Sequence, residues 1–70
     1  MDRQYVSSSM IASIGYDNAT ATLEIEFKGA GGVWQYYDFP ESSYHEMMST
    51  SHGKYFHANV KGCYREVRVQ

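Results

Sequence analysis

The sequence predicts an α+β fold: a three-stranded antiparallel β-meander followed by a short α-helix and a short helical or turn-rich C-terminal segment. Three observations lead there. Strict alternation over residues 21–27 separates Ala21, Leu23, Ile25 and Phe27 from Thr22, Glu24 and Glu26, as in a half-buried strand. The aromatic run at 33–39 stops at Pro40, the single proline of the chain, which has no N–H to continue a ladder. Beyond it, Tyr44, Met47 and Met48 fall at i, i+3 and i+4, one apolar face of a helix.

Taken in order, residues 1–9 (MDRQYVSSS) show no sustained period and close on three serines. They are expected to form a loosely ordered N-terminal arm ahead of a single domain at 10–70. The apolar-rich run MIASIGY at 10–16 reads as the first strand and ends at the turn residues Asp17 and Asn18. The alternating run 21–27 is the second. KGAGG at 28–32 supplies glycines for a hairpin loop that needs positive φ, and 33–39 is the third strand. The helix is expected over 41–49, with Glu41 placed favourably in its first turn. In the remainder, Phe56 and Val60 make one i, i+4 pair, as in a second short helix stopping at Gly62. Residues 64–69 alternate only in part, as an edge strand or a frayed tail.

Seventy residues make one domain that buries only about 60% of the surface of its unfolded chain. That argues against a deep catalytic cleft and explains a high aromatic content as core filler. The lone Cys63 cannot form an internal disulfide, and no apolar run approaches a signal or membrane segment, so a cytoplasmic location is expected. The net charge of −2 is unevenly spread. Residues 1–50 hold seven acids against Arg3 and Lys28, net −5, whereas residues 51–70 hold Lys54, Lys61, Arg65 and Arg68 against Glu66, net +3. An anionic partner is drawn to the second part.

The segments SMIASIGYD, LEIEF, WQYYDFP and SHGKYFHANVKGCY, in that order, resemble the KTSC domain family over residues 9–64. This small module is named for its occurrence at the C-terminus of some lysyl-tRNA synthetases and is found also as a free-standing bacterial protein. The family's Tyr-x-Tyr signature corresponds to Trp34-Gln35-Tyr36, its Val-Pro to Phe39-Pro40 and its Ser-x-Gly-x-Tyr-Phe to Ser51, Gly53, Tyr55 and Phe56. Its Ile-Lys-x-x-Tyr corresponds to Val60, Lys61 and Tyr64. Trp34 in place of tyrosine keeps the flat ring and loses the hydroxyl. The resemblance implies a small non-enzymatic binding module and points toward RNA.

Alternation puts Trp34, Tyr36 and Asp38 on one face of the third strand and Val33, Gln35, Tyr37 and Phe39 on the other. Both sets are aromatic, so the period does not assign inside from outside. If RNA is the ligand, the expected nucleic-acid-binding residues are Trp34, Tyr36, Lys54, Lys61 and Arg65: rings for stacking and cations for phosphates. The alternative is core packing of those rings, with a protein partner or a second copy as the ligand. No metal, cofactor, membrane or catalytic role is expected. His45, His52, His57 and Cys63 match no common zinc spacing, and neither Cys63 with His57 nor Ser51 with His52 has an oxyanion motif beside it.

Overall fold

A computed structural model describes residues 1–70. Its sheet has five strands, β1 (Gln4–Tyr5), β2 (Ile11–Asp17), β3 (Thr22–Phe27), β4 (Gly32–Tyr36) and β5 (Glu66–Arg68), all antiparallel and in chain order. Between β4 and β5 the chain forms α1 (Glu41–Met48) and α2 (His52–Tyr55), which runs into a π-helical turn at Phe56–Val60. The predicted meander is the centre of this sheet. Its strand count is corrected from three to five by two short edge strands, exposed along their length. Strands of two and three residues leave no alternation to read.

The N-terminal residues are correspondingly held rather than loose. Gln4 and Tyr5 pair with Ile14 and Ser13, and the chain passes so close over Gly15 that a Cβ there would lie 2.6 Å from the Asp2 carbonyl oxygen. The serine cluster also has a defined shape, because the Ser8 hydroxyl accepts the backbone N–H groups of Met10 and Ile11 at 3.3 and 3.2 Å. This local turn leads the chain into β2.

Register decides which side chains meet. Ile14, Ile25 and Trp34 lie across adjacent strands, as do Tyr16, Leu23 and Tyr36, so these residues share the helix-covered face. The core there consists of Ile11, Ile14, Leu23, Ile25, Tyr36, Phe39, Met47, Phe56 and Val60. Phe56 meets Phe27 and Tyr36 edge-on at 5.1 and 5.8 Å, and Tyr16 stacks on Tyr44 at 4.9 Å. Each such pair adds about 0.5–1.5 kcal/mol beyond area burial. Phe39 joins the core despite its expected place on the opposite face from Tyr36. The strand ends before it, and Asp38 takes a φ of 57°, which turns the next side chain inward while the Phe39 N–H donates to the Ala21 carbonyl at 2.9 Å.

The other face carries no helix and is closed by side chains. Arg3 reaches across it to the Glu24 carboxylate and donates to Ser13 Oγ at 2.9 Å, and the Ser13 hydroxyl donates to Glu26 at 2.8 Å. Gln35 donates to the other Glu24 oxygen at 2.8 Å and accepts from the Tyr37 hydroxyl at 2.9 Å. Glu24 is only 7% exposed, so its charge depends on these partners. We predict that Arg3→Ala destabilises the fold by about 1–3 kcal/mol, read as a lower urea midpoint with little change in slope. Glu24→Gln in that background is expected to recover part of the loss, because it removes the stranded charge.

Candidate functional site

The chain has one marked concavity, a groove of about 710 Å³ between the β1–β2 loop and the start of α2. Residues 7–10 form one wall; residues 50–54, with His57 and Ala58, form the other. Gly53 brings the walls together, since a Cβ there would stand 3.3 Å from the Met10 sulfur and 3.9 Å from Ser8 Oγ. The lining is rich in hydroxyls, includes Lys54 and two imidazoles, and contains no carboxylate.

Hydrogen bonding fixes what two of these groups offer. The Ser8 oxygen already accepts two backbone N–H groups, so its own proton is what remains for a ligand. His52 Nδ1 lies 2.9 Å from the Met47 carbonyl oxygen, which can only accept. Nδ1 therefore holds a proton, and Nε2 is left free.

The sequence-predicted site residues do not converge. Tyr36 is 2% exposed and packs against Phe56; its expected role as a stacking surface is corrected to that of a core residue. Trp34 is half-buried, and its indole N–H donates to the Gly31 carbonyl at 2.9 Å. Its cross-strand cationic neighbour is Arg68, whereas Arg65 lies 5.0 Å over the ring of Tyr37 on the opposite face. Lys54 lines the groove, which no β4 residue reaches, and Lys61 is exposed just after the π-helical turn.

Most of the recurring family positions have packing roles. Phe39, Phe56 and Val60 fill the core. Tyr64 meets Phe39 edge-on at 4.8 Å, and the Tyr55 hydroxyl donates to Glu46 at 2.8 Å. Ser51 and Gly53 are the part of the pattern that faces the groove, with His52 and Lys54 at its variable positions. The opposite wall was missed in the sequence because its serines were assigned to a loose arm; three consecutive serines were the available signal. Cys63 is exposed, and no three His, Cys, Asp or Glu side chains cluster as metal ligands.

A meander sheet covered on one face by helices, with a polar groove at one end of that cover, defines a small α+β domain; no helix is long and apolar enough to cross a membrane. The KTSC domain family matches residues 7–64, and the chain belongs to that family. It is similar to a KTSC domain protein from Yersinia pestis of known crystal structure, with 40% identity and a TM-score of 0.94 over 99% of this chain and 97% of the other. No curated protein matches it.

Three tyrosines link this packing to pH. Burial, then the Glu66 charge, raises the Tyr36 pKa far above its ordinary value of 10.0. Burial also raises Tyr16, aided by Glu41 and Asp17, and Tyr55, aided by its bond to Glu46. Above about pH 10 the unfolded chain loses these protons first, so it binds fewer than the folded chain and stability falls as pH rises. Urea midpoints are therefore expected to decline progressively above that pH, and Tyr36→Phe is expected to make the decline shallower.

Proposed function

We propose that this chain is a non-enzymatic binding module of a bacterial cytoplasm that holds RNA weakly, through phosphate contacts rather than a stacking platform. One observation carries the reading: in a chain of net charge −2, the one marked concavity is lined by hydroxyls, Lys54 and two imidazoles without an acid. Cationic and hydroxyl donors without competing carboxylates favour a phosphate ligand. The family's association with lysyl-tRNA synthetases supports RNA as its source. Lys54 is the central contact, Lys61 and Arg65 add exposed charge, and Trp34 is half-buried with its indole N–H committed to the Gly31 carbonyl. The open sheet face is unsuited to phosphates, because Glu24 and Glu26 lie on it.

Fluorescence anisotropy of labelled single-stranded RNA in about 50 mM salt tests this. Two or three phosphate contacts give a log–log salt slope of roughly −1.5 to −2, and Lys54→Glu is expected to remove most of the binding. Absence of binding at protein concentrations near 1 mM, about −4 kcal/mol, would sink the proposal.

A second reading, a protein partner or self-association, is favoured by Tyr5 at 83% exposure and by Val67 and Val69 at 46% and 43%. These lie toward the two edges of the sheet, and apolar exposure of this kind marks contact surfaces. Sedimentation that shows only monomer at about 100 µM would exclude a homodimer of micromolar affinity, about −8 kcal/mol.

A further inference from the structure

We infer that the groove is an oxyanion site for a tetrahedral anion such as a phosphate group, with Lys54 and the Ser8 hydroxyl as its donors and His52 Nε2 as a third once that nitrogen is protonated. The inference rests on the RNA reading for its natural ligand but not for its chemistry. Ser8 has both acceptor positions occupied by the Met10 and Ile11 N–H groups and lines the groove with only a proton to give. Lys54 is a donor in every conformation. His52 is fixed by the Met47 carbonyl so that Nε2 is the free nitrogen; on acquiring a second proton that nitrogen turns from acceptor to donor and gains charge. An acceptor-rich tetrahedral anion finds Lys54 and Ser8 as donors, and His52 as a third when Nε2 is protonated, on two walls brought together by the missing side chain of Gly53.

A protonated His52 Nε2 would add a third donor to the site. The titratable groups around His52 are Lys54 and His57 in the groove and the acids of α1. Of those acids, Glu46 takes the Tyr55 hydroxyl and Glu41 lies 3.4 Å from His45. Residues 6–10 of the facing loop carry no charge. No carboxylate in the groove lining offsets the gain of an imidazolium charge on acidification.

Amide shifts in two-dimensional NMR, followed with sulfate as the probe, test the site, because sulfate stays doubly charged while histidine changes charge between about pH 5 and 8. Saturable shifts are expected at residues 8–10 and 51–54, with a dissociation constant about tenfold lower at the acidic end, the gain of one charge-assisted hydrogen bond. His52→Asn retains a donor for the Met47 carbonyl but not the titration, and is expected to abolish the pH effect while the fold persists. Ser8→Ala is expected to weaken binding at both ends of the range.

A parallel comparison of 5′-phosphorylated and 5′-hydroxyl RNA oligomers separates a free anion from a nucleic-acid terminus, with the phosphorylated oligomer shifting the groove at lower concentration. Sulfate binding without binding of either oligomer would leave the site standing and remove RNA. RNA binding whose shifts avoid the groove would remove the site and leave RNA. Absence of saturable groove shifts at about 50 mM sulfate, far above a millimolar constant, or a pH effect that survives His52→Asn, overturns the inference.

Discussion

Seventy residues supply helix enough to cover one face of a five-stranded sheet, and that constraint organises the rest of the molecule. The covered face takes the aliphatic and aromatic side chains of the central strands, with Met47, Phe56 and Val60 descending from the helical segment. The uncovered face cannot be left apolar, nor can its charges be left dry and unpaired. It is closed by one hydrogen-bonded chain of groups from Ser13 and Arg3 through Glu24 and Gln35 to Tyr37, with the Arg65 guanidinium over the last ring. Every buried side-chain nitrogen and oxygen has a partner, which such a thin domain requires.

The two faces are connected through the N-terminal segment. Arg3 is fastened on the open face, β1 pairs with β2 at the sheet edge, and the following residues then return as the Ser8 turn that forms one wall of the groove. The geometry of the groove therefore depends on an ion pair on the far side of the sheet. Release of the first residues would uncover Gly15 and Glu24 and would also free the wall that carries Ser8. A groove assembled this way has no element of its own; it is the meeting place of a loop and a helix start, each positioned by something else.

How much of this was legible in the sequence varies with the physical signal. Residues 21–27 announce their strand because one face is dry, and Tyr44, Met47 and Met48 announce α1 for the same reason. The edge strands are only weakly marked because neither face of Gln4–Tyr5 or Glu66–Arg68 is buried: the first shows no period, and the second only the partial alternation over 64–69 that left an edge strand and a frayed tail both open. The period also misplaced Phe39, since a single positive φ at Asp38 resets the inward direction. Tyr36 shows the limit for site reading: a recurring aromatic pattern marks a residue whose identity is constrained, and the constraint here is volume in the core. The groove was only half visible. Lys54 stands out in the sequence as a candidate cation for an anionic ligand, whereas the facing serines depend on tertiary docking of a segment whose own pattern is featureless.

The strand order has a further implication for how the parts come together. β4 and β5 are sheet neighbours, so the helical segment between them is an insertion of about thirty residues in what is otherwise a hairpin loop. Closing it costs roughly 2 kcal/mol more chain entropy than closing the four-residue turn between β2 and β3. The central hairpins can zip locally, but β5 must wait until α1 and α2 have condensed on the sheet and shortened the distance to be spanned. The same hierarchy operates in reverse in the native state: opening that begins at β5 exposes Val67 and releases Arg65 and Arg68 while the central strands remain paired. The C-terminal cations thus lie on the part of the sheet that assembles last.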